Sequence, residues 1–120
     1  MVMTSDLRDR TILDPSVELD TPTMLVDEAL MELNISEMQS LARSLGCQLR
    51  PHIKTHKTPQ IAMRQIAAGA RGITCAKLGE AEVMADAGVE DILMAYPVVT
   101  PIKLQRLLNV MERTRMIVAV

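Results

Sequence analysis

The strongest chemical signal in this chain is a run of basic side chains over residues 50–57, with the sequence RPHIKTHK. Successive side chains of a strand point to opposite faces, so we expect Arg50, His52 and Lys54 to share one face. Cations in such a row are costly to bury unless an anion meets them. Both histidines of the chain lie here, one on each side of Lys54. The segment therefore predicts a site for a bound phosphate or carboxylate.

Lys54 adds a second kind of chemistry to this segment. A lysine attacks an aldehyde only when its amine is neutral, and burial at a strand end and neighbouring cations both favour the neutral form. The same cations would hold a phosphate. A phosphorylated aldehyde cofactor needs both functions, and pyridoxal phosphate is the obvious candidate. The alternative is a solvated basic loop with no ligand, which the spacing alone does not exclude.

The elements that position this segment follow a regular alternation of strands and helices. We expect strands over residues 23–26, 47–54, 72–76, 91–96 and 116–120. Helices should lie between Asp27 and Gly46, between Thr58 and Gly69, between Leu78 and Gly88, and from Thr100 to Met111. Their signals are N-capping Asp or Thr, proline at the first helical position and glycine at the end.

Strands that alternate with helices of this length predict an α/β fold of repeated βα units with parallel strands. Either a doubly wound open sheet or part of a (β/α)8 barrel of the TIM type fits. The barrel is favoured because Lys54, Lys77 and Tyr96 all fall at carboxyl ends of strands, where barrels keep their sites. No G-x-G-x-x-G motif follows the first strand, which argues against a dinucleotide fold. A whole barrel needs about 250 residues, so we expect the first half of one.

Composition limits the function classes further. The formal net charge of −2 gives no general attraction to nucleic acid or to an anionic membrane. The first twenty residues lack the apolar segment of a secretory signal, and no apolar run reaches membrane-spanning length. Cys47 and Cys75 have no partner motif, so we expect two reduced, buried thiols in a cytoplasmic protein. We expect residues 1–20 to form an arm and residues 21–120 a partial barrel domain.

Residues 49–57 closely resemble the cofactor-lysine segment of the D-threonine aldolase and D-serine dehydratase family, whose barrel is of the alanine racemase type (fold-type III pyridoxal-phosphate enzymes). Residues 21–27 resemble that family's first strand, and residues 72–82 resemble its third strand and the following helix. Residues 91–97 resemble its fourth strand. The resemblance extends in order from about residue 21 to residue 120, and the RPHxKTHK segment is its most specific part.

The resemblance implies that Lys54 forms the internal aldimine with pyridoxal phosphate, with Lys57 as its rival. It also makes His52, Thr55, His56 and Tyr96 candidate cofactor contacts. Residues weighed as structural instead are Arg50, an expected ion-pair partner, Lys77, an expected solvated lysine, and Glu80 and Glu82 in a first helical turn.

The activity that the resemblance implies is that of a pyridoxal-phosphate-dependent lyase acting on D-amino acids. A D-threonine aldolase cleaves a 3-hydroxy-D-amino acid to glycine and an aldehyde. The alternatives are a D-serine dehydratase, in which Lys54 would be the base for the α-proton, and a non-catalytic half-barrel that binds only the cofactor, phosphate or a partner chain. The family's divalent metal and its second, β-rich domain have no counterpart in these residues, so no metal ligand is assigned. A homodimer is expected.

Overall fold

The structure is a computed structural model that describes residues 18–120. Four helices alternate with three strands: α1 Glu28–Ser44, α2 Pro59–Ala67, β1 Ile73–Cys75, α3 Leu78–Asp86, β2 Asp91–Met94, α4 Pro101–Met111 and β3 Arg115–Val118. The predicted arm over residues 1–20 lies outside the described residues except for its last three. Among the described residues, no helix combines the length and apolarity that crossing a lipid bilayer requires.

The helix bounds follow from local capping signals. The side chain of Asp27 accepts a hydrogen bond from the backbone N–H of Leu30 at 2.9 Å, which satisfies one of the free donors at the start of α1. Gly46, just past the end of the same helix, has a φ of 66°, a conformation that glycine adopts without a steric penalty. Helices α2 and α4 both begin with a proline after a threonine, as predicted.

The three strands form one parallel sheet in the order β1-β2-β3. Thr74 of β1 lies opposite Leu93 of β2, which lies opposite Ile117 of β3. Consecutive strands are neighbours and each pair is joined by a helix, so the predicted fold class of repeated βα units with parallel strands is confirmed.

Two predicted strands differ in the structure. Residues 23–26 form no strand, and Met24 is 90% exposed, because no described strand lies beside them to pair their backbone groups. The predicted strand over 47–54 is reduced to one bridge between His52 and Thr74. Its backbone still follows β1, since Ile53 N–H donates to Thr74 O at 2.9 Å and Thr74 N–H donates to Pro51 O at 2.7 Å. We call residues 49–53 the bridge segment.

The helices cover only one face of the sheet. The hydrophobic core lies between that face and the helices, and its fully buried side chains include Ile53, Ile73, Cys75, Ile92 and Met94. These positions alternate with the residues on the opposite face, as the pleat of a strand requires. Ile53 is buried in the core, so Arg50 and His52 lie on the opposite face; the expectation that Lys54 shares that face stays a prediction, because Lys54 lies in the turn after the bridge.

Candidate active site

The sheet has a second face that no described helix covers, and we call it the open face. Its residues alternate along the bridge segment and the strands with those of the core. The open face consists of Arg50, His52, Gly72, Thr74, Ala76, Asp91, Leu93, Ala95, Arg115, Ile117 and Ala119, and Lys54 lies in the turn that follows His52. Because the strands are parallel and in register, these residues form three rows across the sheet, from the amino ends of the strands to their carboxyl ends.

The row at the amino ends of the strands is an ion-pair cluster around Asp91. Arg50 donates to both carboxylate oxygens, from Nε at 2.9 Å and from Nη2 at 3.1 Å, and Arg115 donates from Nη1 at 2.7 Å. Arg71 Nε lies 3.6 Å from the same carboxylate. The hydrogen bond from Arg50 is the main cause that lowers the pKa of Asp91. Arg50 is thus paired with a carboxylate of the same chain, that of Asp91.

The middle row contains His52 and Thr74, which the parallel bridge brings side by side. The hydroxyl of Thr74 donates to the backbone carbonyl of Arg50 at 3.0 Å, which fastens the bridge segment to β1. The Nδ1 atom of His52 accepts the backbone N–H of Lys54 at 3.3 Å. His52 therefore orients the start of the turn in which Lys54 lies.

The row at the carboxyl ends of the strands consists of three alanines. Extending the register by one residue beyond Cys75, Met94 and Val118 aligns Ala76, Ala95 and Ala119, and Lys54 follows the bridge residue His52 by two. The backbone bonds Ala95 N–H to Cys75 O and Ala119 N–H to Met94 O, at 2.9 and 3.0 Å, continue the ladder to this row. Lys54 itself is exposed in the turn that follows the bridge segment, next to the ring of His52.

The two candidate lysines have different surroundings. Lys57 Nζ lies 3.7 Å from Glu80 Oε1, whereas the amine of Lys54 makes no hydrogen bond or ion pair with any residue in 18–120. Glu80 is held in turn by the backbone, because its Oε2 accepts the N–H of Ala76 at 2.8 Å and of Lys77 at 3.3 Å. Glu80 thus ties the loop after β1 to the turn that carries Lys54.

The structure brings together some of the predicted cofactor contacts and separates others. Thr55 is exposed in the turn directly after Lys54. The ring of His56 instead lines a cavity of about 440 Å³ between α1 and α2. Tyr96 lines a different cavity, of about 580 Å³, with Lys77 and Lys103. Tyr96 lies two residues beyond the end of β2 and is 58% exposed.

Sequence reasoning missed two features of this face, Asp91 and the alanine row. An acidic residue at the start of an otherwise apolar strand was a signal for the first, since a buried carboxylate requires a cation. The alanines at positions 76, 95 and 119 carried a weaker signal, because only the strand register shows that they align.

The two cysteines differ from each other. Cys75 is buried, and burial is the main cause that raises the pKa of its thiol to about 12. Cys47 is exposed, so the expectation that both are buried is wrong for Cys47, which follows the glycine at the end of α1 and precedes the bridge segment. Within residues 18–120, no three His, Cys, Asp or Glu side chains are grouped so that they could hold a metal ion.

Comparison with protein families matches residues 26–119 to the alanine racemase N-terminal domain. A D-threonine aldolase from Arthrobacter sp. is 47% identical over 91 residues, which cover 76% of this chain and 24% of that protein. A D-threo-3-hydroxyaspartate dehydratase from Delftia sp. (strain HT23) is 42% identical over 100 residues, which cover 83% of this chain and 26% of that protein.

Among solved structures, the crystal structure of D-threonine aldolase from Filomicrobium marinum superposes with a TM-score of 0.82 at 45% identity. The superposition covers 85% of this chain and 28% of that one. The chain therefore spans about a quarter of the length of the relatives that it matches.

Proposed function

Because the chain belongs to the alanine racemase N-terminal domain family, we propose that it carries the cofactor lysine of a pyridoxal-phosphate-dependent lyase for D-amino acids. The proposed reaction is of the D-threonine aldolase type, in which a 3-hydroxy-D-amino acid yields glycine and an aldehyde. Relatives named D-threonine aldolase support this choice in both the sequence and the structure comparisons. The observation that carries the proposal is the exposed amine of Lys54, which makes no hydrogen bond or ion pair within residues 18–120.

The residues of the open face fit such a cofactor. An aldehyde-bearing ring needs a lysine that is not already committed to a carboxylate, and Lys54 meets this condition among residues 18–120, whereas Lys57 lies beside Glu80. A flat ring also needs room, and the methyl groups of Ala76 and Ala95 leave it at the carboxyl ends of β1 and β2. Pyridoxal phosphate, when bound, draws electrons away from the α-carbon of an amino acid.

Each side chain of the site then has a role that its position supports. Lys54 Nζ would hold the cofactor and, once released by a substrate, would be free to take or return a proton. His52 Nδ1 holds the backbone N–H of Lys54 and so orients that lysine. Thr55, exposed in the same turn, would contact the cofactor. Contacts of His56 and Tyr96 with the cofactor stay predictions.

A dehydratase reaction is the second candidate, and the 42% identity to a D-threo-3-hydroxyaspartate dehydratase favours it. The two reactions share a 3-hydroxy-D-amino acid as substrate and differ in which bond breaks. In the dehydratase case Lys54 Nζ would accept the α-proton. We propose further that the protein is cytoplasmic, acts on a small substrate and assembles as a homodimer.

The test is covalent trapping of the cofactor on the 120-residue chain. The chain is incubated with pyridoxal phosphate and reduced with borohydride, and the labelled peptide is located by mass mapping. We expect one adduct per chain, on Lys54. The variant Lys54→Ala should lose it, and the matched control Lys57→Ala should keep it. A label on Lys57, or low labelling scattered over several lysines, would contradict the proposal.

Turnover is measured separately on the unreduced chain incubated with pyridoxal phosphate, because a reduced adduct cannot exchange its lysine for a substrate amine. Glycine released from D-threonine indicates the aldolase reaction, and ammonia released from D-threo-3-hydroxyaspartate indicates the dehydratase reaction. An adduct on Lys54 with neither product would assign the chain to the third alternative, a half-barrel that binds the cofactor without catalysis.

A further inference from the structure

Two hydrogen bonds, both donated by Thr58, join it to His56. The backbone N–H of Thr58 donates to His56 Nδ1 at 3.0 Å, and the hydroxyl of Thr58 donates to the backbone carbonyl of His56 at 2.7 Å. We call this pair of bonds the clasp. Between its two residues, Lys57 has a φ of 51°, the only left-handed conformation of a non-glycine residue in the described part of the chain. Such a conformation persists only where neighbouring contacts impose it.

The clasp closes the turn in which Lys54 lies. The N–H of Lys57 donates to the carbonyl of Ile53 at 2.7 Å, so residues 53–57 form a single closed turn. Thr58 is the N-cap residue of α2, but its side chain makes no capping hydrogen bond to that helix. Its hydroxyl instead donates a hydrogen bond to the backbone carbonyl of His56, within the turn. The position of Lys54 thus depends on the bridge at His52 on one side and on the clasp on the other.

The ring of His56 is partly enclosed by residues of α1, α2 and the segment before α1. It lines the cavity between α1 and α2. Its Nε2 atom and the Oε1 atom of Gln65 are both buried, and neither has a hydrogen-bond partner. Asp27 is the other titratable residue that lines this cavity, and its Oδ1 accepts the N–H of Leu30. No charged residue of α2 lines it. Burial lowers the pKa of His56, and the nearby side chain of Gln65 and backbone of Thr58 offset part of that effect.

We infer that His56 is a positioning residue: its neutral ring closes the turn that carries Lys54, and a proton on Nδ1 opens that turn. A neutral imidazole has one nitrogen that accepts and one that donates, whereas a protonated imidazole donates from both. A protonated Nδ1 would therefore point its hydrogen at the N–H of Thr58. The clasp is intact at a pH above the ordinary histidine pKa of about 6.5, and it is lost as the pH falls through the lowered value.

This inference concerns the turn itself, and only the importance given to Lys54 rests on the proposed function. The first measurement therefore needs no cofactor. Hydrogen exchange of the Thr58 amide is followed by NMR on the 120-residue chain between pH 4 and pH 8, relative to the intrinsic rate at each pH. In the unmodified chain we expect protection to fall at least tenfold across the protonation of His56.

Two substitutions separate a positioning role from a general structural one. Asparagine can accept the backbone N–H two residues ahead, as in an Asx-turn, and it does not titrate in this range. The variant His56→Asn should keep the Thr58 amide protected and remove the pH dependence. His56→Ala should lose protection at every pH. If His56→Ala does not fold, the comparison of the unmodified chain with His56→Asn still decides the question.

Two outcomes would overturn the inference: protection at Thr58 that is independent of pH in the unmodified chain, or the same pH dependence in His56→Asn. The second measurement links the turn to Lys54. At pH 7.5, borohydride labelling of Lys54 should fall several-fold in His56→Ala and recover in His56→Asn. An unmodified chain that is never labelled refutes the proposed function, while the exchange data still decide the role of His56.

Discussion

Replacing Asp91 with asparagine tests how much the ion-pair cluster stabilises the sheet. The side chain of Asp91 is only 8% exposed, and that of its main partner Arg50 is 24% exposed. Removing one member of a fully buried ion pair costs about 3–5 kcal/mol. The side chain of Arg115 is 57% exposed, so it stays hydrated without its partner. In Asp91→Asn the asparagine oxygen still accepts one of the hydrogen bonds. We therefore expect Asp91→Asn to lower the free energy of unfolding by about 2 kcal/mol.

The matched control is Asp86→Asn, the same substitution in an exposed ion pair. Asp86 pairs with Arg113, and its side chain is 61% exposed. Exposed ion pairs contribute about 0–1 kcal/mol, so this variant should change the free energy of unfolding by less than about 0.5 kcal/mol. Urea denaturation followed by circular dichroism measures both values. Equal effects of the two substitutions would refute the reasoning, because they would show that burial and the three arginines add nothing.

The pH dependence gives a second check on Asp91. Arg50 lowers the pKa of this carboxyl in the folded chain, so the native state holds fewer protons than the unfolded state as the pH falls. The contribution of Asp91 is present above the ordinary aspartate pKa of about 3.9. It is lost as the pH drops through the lowered value. The difference between the unmodified chain and Asp91→Asn should therefore be constant from pH 5 to pH 8 and shrink in more acidic solution.

Two further predictions concern packing and reactivity. Gly72→Ala should destabilise the chain by about 2 kcal/mol, because the added Cβ would overlap the backbone of Asp91. Gly79→Ala should be neutral or stabilising, because the nearest atom to its added Cβ is 4.0 Å away. Equal free energies of unfolding for the two variants in urea denaturation would contradict this prediction. Iodoacetamide should modify the exposed Cys47 in the native chain and spare the buried Cys75, whose thiol has a pKa raised to about 12. Mass spectrometry before and after denaturation checks it, and rapid native labelling of Cys75 would show that the core is open.

The fold was largely predictable because its signals are local. Proline at the start of α2 and α4 and glycine after α1 each act on backbone groups within one helical turn. Strand existence was predicted less well. Residues 23–26 have the composition of a strand, but a strand also needs a neighbour to pair with, and composition does not show whether that neighbour is present.

The candidate site divides in the same way. The sequence by itself determined that Arg50 and His52 share the face opposite Ile53, since alternation along one segment decides it. Only the tertiary structure decided what meets them. The bond between Arg50 and Asp91 joins residues 41 positions apart, and the alanine row exists only because three strands share one register.

The orientation of His56 was equally beyond the sequence. Its hydrogen bond to Thr58 is local, but the cavity that takes its ring is made by α1 and α2 together. Spacing along one segment therefore predicted which residues carry the chemistry. The packing of distant segments decided which of those residues face Lys54 and which are used to hold its turn, because contacts between distant residues depend on strand register and helix position rather than on sequence spacing.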